Sequence, residues 1–321
     1  MKFHIENNKG IIMFDSVRFI TSNISNKFSI KMIKGLDDYR VVLTHGVVGE
    51  LMLLLENDYF GLDKNKIIVL TNNIQANKVL LEDGIKCFPI SEYIFTNDDT
   101  YTVLQEKKLY DCIFPGRDSK VIDLFQIKYK SNVNLLYKTK NYPYPREAMP
   151  KLFNQAKTGV MTTEAEGSCL SVGEMLCCGI PIVSVKINNT VSENDLYPRK
   201  KILLDQCYDQ IIPNTLGGRE LWLTPNNSVY CNREDKSIDK AIKELVEKKL
   251  CQKNIREEFL SKLFLHRISF LYLFKDILFD LQMEINFENL SNIIQLPYGN
   301  STISSTEWQK CFDYFKNSFI V

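Results

Sequence analysis

The sequence predicts an α/β protein built as two Rossmann-like halves, and three observations carry that expectation. Short β-branched runs alternate with helical patterns from Phe28 to Ile90 and again from Tyr110 to Val185, the rhythm of parallel strands covered by helices. Residues 158–186, TGVMTTEAEGSCLSVGEMLCCGIPIVSVK, read as a buried strand, a polar turn, a short helix and a second buried strand. With 321 residues the chain is long for one hydrophobic core and of ordinary size for two domains.

In chain order, Gly10 to Phe14, Phe28 to Ile33 and Arg40 to Thr44 read as strands, and Val48 to Glu56 as a helix. Lys66 to Leu70 reads as a strand and Ala76 to Glu82 as a helix that Asp83-Gly84 stops, followed by a short strand from Ile85 to Ile90. This first half is therefore expected to be a small doubly wound domain. From about Ser91 to Lys108 the chain turns polar, with Thr96-Asn97-Asp98-Asp99-Thr100 as a loop signal, and a hinge is expected there. The expected divisions are 1–107, 108–282 and a tail over 283–321.

The second half opens with a strand at Tyr110, continues with one over Val133 to Tyr137, and reaches the rigid aromatic loop Tyr142-Pro143-Tyr144-Pro145-Arg146. Tyrosines beside prolines can stack on a base or sugar or cover the core edge, and the sequence leaves both open. Met149 to Ala156 reads as a helix leading into the strand at Gly159-Val160-Met161. The helix that starts near Leu170 stops at Gly179-Ile180-Pro181, because glycine accepts φ > 0 at a helix end and proline lacks the N–H a helix needs. Ile182 to Val185 then forms the next strand. Ile187 to Asn214 carries the polar Asn188-Asn189 and the basic Arg199-Lys200-Lys201, and either lines a cleft or decorates the outside. From Ser237, Ile238, Ala241, Ile242 and Leu245 share a helix face; Asn254 through Leu281 continues as an apolar-periodic stretch interrupted by His266-Arg267. His266, among apolar neighbours, reads as a core or helix-flank residue. A final helical pattern carries Trp308, Cys311, Phe312 and Phe315.

Composition narrows the function classes. A formal net charge of +1 gives no long-range field for nucleic acid. No apolar run approaches the about 20 residues that span a bilayer, and Met1 to Asn7 lacks the apolar core of a signal peptide. The expectation is a cytoplasmic protein, with peripheral attachment to a membrane left open. Nine cysteines without a C-x-x-C pair read as small buried hydrophobes rather than zinc ligands or disulfides. Cys169 lies in the polar turn, where a reactive thiol is the less favoured reading.

The chemistry points to that turn. A helix beginning straight after the carboxyl end of a parallel strand aims free N–H groups and its positive dipole end into the crevice where open α/β sheets bind ligands. Gly167, Ser168, Cys169, Leu170 and Ser171 would line such an anion site, with Glu166 at the mouth and Glu174 on the helix. Two carboxylates flanking an anion suit a nucleotide sugar, with hydroxyls on both sides of a diphosphate.

Glu166-Gly167 through Glu174, followed by Cys178-Gly179-Ile180-Pro181-Ile182-Val183, resembles the E-x7-E signature and following strand of retaining GT-B glycosyltransferases of the family 4 (glycosyl transferases group 1) type. Tyr110-Asp111-Cys112-Ile113-Phe114-Pro115-Gly116-Arg117 is similar to the strand and basic loop that open the family's donor domain, and Gly217-Gly218-Arg219-Glu220-Leu221-Trp222 to a later loop of its polysaccharide-building branch. The resemblance covers roughly Lys108 to Phe279. It implies two Rossmann-like domains facing a cleft, with a C-terminal helix returning to the N-terminal domain. It also implies a nucleotide-sugar donor, a glycan or lipid-linked acceptor, and neither metal nor cofactor. Glu166 would bind the donor sugar, Glu174 the ribose, and Arg117 and Lys120 the leaving diphosphate, although the family spaces that Arg and Lys more widely. His45, in Thr44-His45-Gly46 at a strand end, would be the catalytic cleft histidine, or else a hydrogen-bonded histidine closing a turn. Arg219 would meet phosphate or acceptor, or else form a structural salt bridge. A nucleotide-sugar epimerase-like GT-B enzyme and a degenerate glycosyltransferase acting as a binding subunit are the alternative functions.

Overall fold

The structure, a computed structural model, describes residues 17–19, 24–26, 28–32, 40–44, 67–71, 80–89, 91–115, 135–137, 146–162, 170–186, 219–232, 234–280 and 306–318. In the first part of the chain, β1 (Val17–Phe19) and β2 (Ile24–Asn26) pair as a hairpin. β3 (Phe28–Met32), β4 (Arg40–Thr44), β5 (Ile67–Thr71) and β6 (Lys86–Pro89) form a sheet in that order, antiparallel at its first pair and parallel thereafter. The four strands follow the sequence expectation within a residue or two. Their order steps one way, so the described strands contain no reversal of the doubly wound kind expected there. The expected strand at 10–14 and helix at 48–56 lie outside the described residues.

The helical residues 80–82 end as Asp83-Gly84 predicts: Gly84 sits at φ 76, and Ile85 and Gly84 donate to the carbonyls of Leu80 and Leu81. That is a Schellman ending, and only glycine adopts its left-handed residue without strain.

The second sheet holds the larger core. β7 (Tyr110–Phe114), β8 (Leu135–Tyr137), β9 (Ala156–Met161), β10 (Ile182–Val185) and β11 (Ser228–Cys231) lie in the order β11-β10-β9-β7-β8, every pair parallel. Alternate strand residues go to opposite faces, as the two-residue period requires. Ile113, Met161 and Ile182 join one core with α1 (Met149–Gln155), α2 (Leu170–Cys177) and α4 (Gln252–Asp280). Cys112, Phe114, Val160, Val183 and Val185 join another with Ile238, Ala241, Ile242 and Leu245 of α3 (Asp235–Glu247). These four α3 residues are the face predicted from periodicity. A sheet buried on both sides explains why its strands read as apolar runs.

Residues 91–101, which the sequence reading places before the boundary at 107 and at the hinge, pack into this second unit. Glu92–Phe95 forms a 3-10 turn, and the Tyr93 ring stacks on Trp222 at 4.9 Å. Trp222 also meets Phe259 at 5.2 Å and His266 at 4.8 Å, and burial lowers the His266 pKa. His266 therefore serves packing, as its neighbours imply.

The apolar-periodic stretch read over Asn254 to Leu281 forms one helix, α4, which runs unbroken from Gln252 to Asp280 through the polar pair His266-Arg267. Arg267 is tolerated in the core because it is paired. Its guanidinium lies 2.9 Å from the Asp98 carboxylate, both groups essentially without exposure, and it also donates to the carbonyls of Ile94 at 3.0 Å and Thr96 at 2.8 Å. The guanidinium stands 4.7 Å over the Trp308 ring of α5 (Thr306–Asn317). That helix, expected to return to the first domain, packs on α4, and its first amide, of Thr306, donates to Asp99. Among the described residues no helix is long and apolar enough to cross a membrane.

Breaking a buried pair by removing one partner leaves an uncompensated charge, so Arg267→Met is expected to cost about 3–5 kcal/mol of stability. Urea denaturation of the variant checks this, and Arg267→Met combined with Asp98→Leu should recover a large part of the loss.

Candidate functional site

Numbered from its own first strand, the second sheet has the order 2-1-3-4-5, in which the chain reverses direction between β7 and β9. Ligands of open α/β sheets bind outside the carboxyl ends of the strands at such a reversal. The β7–β9 register, Cys112 with Thr158 and Ile113 with Gly159, brings the two strands to an end level with each other. β7 ends at Phe114 and β9 at Met161. In sequence, the first is followed by the segment carrying Arg117 and Lys120 and the second by the one carrying Glu166 to Cys169. The structure thus starts both predicted segments from the two strands that flank the reversal point. Arg117, Lys120, Glu166, Gly167, Ser168 and Cys169 themselves lie outside the described residues, as does His45, which follows the last residue of β4.

The helix that opens after the β9 turn starts at Leu170, where the sequence puts it. Val172, Gly173, Met175, Leu176 and Cys177 are buried, whereas Leu170, Ser171 and Glu174 are half-buried. Positions 170, 171 and 174 are three and four residues apart and share one face. Three predicted donor contacts therefore fall together on the one side of α2 that the core does not use.

Three glycines set how closely α2 can approach its surroundings. A Cβ at Gly159 of β9 would meet the Met175 sulfur, so the glycine lets the helix lie close on the strand. A Cβ at Gly173 would come within 2.8 Å of both Thr96 Oγ1 and Tyr93 Cδ1. Gly179 has φ 69 and closes a Schellman motif, with Ile180 N–H to Met175 carbonyl and Gly179 N–H to Leu176 carbonyl. The last carbonyl of α2, of Cys177, accepts from Arg256 at 2.6 Å, and Gln252 donates to the Cys178 carbonyl at 3.3 Å.

Arg219 lies in a 3-10 turn, Arg219–Leu221, against the carboxyl end of β10. It is fully buried and donates to the Ser184 hydroxyl at 2.8 Å and the Val185 carbonyl at 2.9 Å. The sequence carries no sign of Ser184 as its partner. Arg256 is likewise unannounced in sequence: it reads as one more cation on an amphipathic helix. Among the described residues no group of three or more His, Cys, Asp or Glu side chains could hold a metal ion. Burial pushes the thiol of Cys178 up to about 12 and that of Cys177 well above its ordinary value, so both behave as the small hydrophobes expected.

The fold is that of a doubly wound, parallel α/β unit with a reversal point between β7 and β9. No family model matches the chain, and no curated protein matches it in sequence. Among solved structures it is similar to a variant of S. aureus TarM in complex with fondaparinux, alpha-GlcNAc-glycerol and UDP, with 15% identity over 62% of this chain and 44% of that one and a TM-score of 0.38. It is also similar to sucrose-phosphate synthase from Thermosynechococcus elongatus, at 12% identity over 73% and 67% of the two chains and a TM-score of 0.46. The pneumococcal O-GlcNAc transferase GtfA in complex with UDP and GlcNAc is similar at 13% identity, over 62% and 45%, with a TM-score of 0.26. The chain spans less than half the length of TarM. At such scores it is the chain's own residues that carry the functional argument.

Replacing Gly179 by alanine forces a side chain into left-handed backbone, which costs about 1–3 kcal/mol. The new Cβ also meets the carbonyl of Gln252. Gly179→Ala should therefore lower the unfolding free energy measured in urea, whereas Lys157→Ala, which removes only an exposed pair with Asp111, should leave it within about a few tenths of a kcal/mol.

Proposed function

We propose that the chain is a glycosyltransferase that moves a sugar from a nucleotide-sugar donor to a glycan or lipid-linked acceptor, with retention of anomeric configuration and without a metal ion or cofactor. The observation that supports it is the pairing of β7 and β9 at the reversal point. Their level carboxyl ends feed a basic segment and a Glu-Gly segment, and the latter opens a helix whose half-buried face carries Glu174.

In this reading the diphosphate lies against the amino end of α2 and is neutralised by Arg117, with Lys120 assisting. Preorganised N–H groups and cations stabilise the charge that develops on the leaving group. Glu174 accepts hydrogen bonds from the ribose hydroxyls and Glu166 from hydroxyls of the donor sugar. His45 completes the site from the first half of the chain. The bond from the anomeric carbon to the phosphate oxygen breaks, the acceptor oxygen adds from the same face, and its proton leaves with the departing phosphate. Configuration is kept without an enzymatic nucleophile. An enzyme of this kind works in the cytoplasm, where nucleotide sugars are at hand, alone or at a membrane surface presenting a lipid-linked acceptor.

Two substitutions separate the roles of the carboxylates. Glu174→Ala should weaken binding of the nucleoside diphosphate by about 1–3 kcal/mol, since a ribose hydroxyl pair loses its acceptor; calorimetry with free nucleotide measures it, and unchanged affinity would contradict the assignment. Glu166→Gln keeps shape but loses the charged acceptor. Turnover with the true donor should fall about 10- to 100-fold, roughly 1.4–2.8 kcal/mol, with little change in nucleotide affinity. Full turnover in Glu166→Gln together with none in Glu174→Gln would reverse the two roles.

A further inference from the structure

We propose that Gly173 and Arg256 are positioning residues for the donor site: together they lock α2 to residues 93–101, and so fix where Ser171 and Glu174 stand. This rests on the reading of the site given above.

A helix of eight residues has little stability of its own, because nucleation is unfavourable and few hydrogen bonds follow it. The placement of α2 is thus set by what holds it. Its carboxyl end is held by Arg256, whose guanidinium donates to three carbonyls from two parts of the chain: Cys177 at 2.6 Å, and Tyr101 at 2.7 Å and Asp98 at 2.8 Å in the 93–101 segment. A cation there also faces the negative end of the helix dipole. Arg256 makes no ion pair among the described residues, so its charge is committed to these carbonyls.

The second hold is at Gly173, next to Glu174 in sequence, about 100° around the helix from it and buried. Its missing Cβ is the space into which Thr96 and Tyr93 fit, with Phe259 Cζ at 3.3 Å behind them. Tyr93 has no room to retreat, since its ring already stacks on Trp222. The 93–101 segment is itself pinned by the Arg267–Asp98 pair. Any side chain at position 173 must therefore push the helix, and with it the face carrying Ser171 and Glu174. No hydrogen bond or charge at the ligand is altered by such a change, which separates positioning from direct binding.

The test compares the full-length protein with Gly173→Ala and Arg256→Met, at a temperature where circular dichroism shows each fully folded. Binding of UDP, GDP and ADP is measured by calorimetry, and amide hydrogen exchange is measured without ligand. For the nucleotide that the unaltered protein binds best, both variants should raise Kd by about tenfold or more, the order expected when a contact group is displaced from its productive geometry. Exchange should quicken over residues 170–178 while β10 and β11 keep their protection. Arg256→Lys, which keeps the charge but loses the forked donors, should fall between and carries the comparison if Arg256→Met does not fold. Wild-type affinity in variants that merely melt at lower temperature would overturn the proposal, because it would assign the two residues to the core alone. Should the unaltered protein bind none of the three nucleotides, the donor-site reading fails. The exchange data then decide: quickening confined to 170–178 upholds the locking of α2, and unchanged or chain-wide exchange overturns it.

Discussion

Neither Arg267 nor Asp98 can be buried alone, because removing either charge from water without its partner costs several kcal/mol. Together, at 2.9 Å, they become a constraint on everything around them. The arginine belongs to the middle of α4 and the aspartate to the stretch between β6 and β7, 169 residues away in sequence. The guanidinium must also lie over Trp308 and under the carbonyls of Ile94 and Thr96. An apolar contact would tolerate sliding of a long helix by part of a turn; a forked donor with three fixed acceptors does not. The pair thus sets the register of α4 against residues 91–101, and from there the position of Arg256, about three turns earlier on the same helix.

The site inherits that register. α2 lies between a strand it approaches through Gly159 and a segment it approaches through Gly173, and its end is capped by side chains of α4. The Gly159 and Gly173 approaches act on its buried side, and Arg256 and Gln252 act at its carboxyl end. The side that carries Leu170, Ser171 and Glu174 is half-buried, on the helix that follows β9, one of the two strands at the reversal of chain order.

Local signals made part of this legible in the sequence. Gly84 and Gly179 mark helix ends because the left-handed residue is a local demand, and the strands of the second sheet announce themselves as apolar runs because both faces are covered. The strand ending at Met161 and the helix from Leu170 to Cys177 are readable for the same reason. What failed to show depends on distant partners. His266-Arg267 resembles a break in an apolar pattern until Asp98 is brought beside it, and Asp98 resembles a loop residue until Arg267 is. β11, Ser-Val-Tyr-Cys, is a short edge strand with Tyr230 exposed, so neither a run nor an alternation flags it. Arg219 reads equally well as a phosphate contact or a structural arginine, and its bonds to Ser184 and Val185 belong to the folded sheet alone.

The depth at which most cysteines are stored has a chemical consequence. Burial lifts the thiols of Cys87, Cys178 and Cys311 to about 12, so near pH 8 only about one part in ten thousand is thiolate, the form that attacks electrophiles. Of the described cysteines Cys251 alone is exposed. It immediately precedes Gln252, whose amide holds the carbonyl of Cys178 just beyond α2. A maleimide or a fluorinated alkylating tag directed to the described thiols would therefore settle one residue from the joint between α2 and α4, giving spectroscopy a native vantage point on that joint without any engineered cysteine.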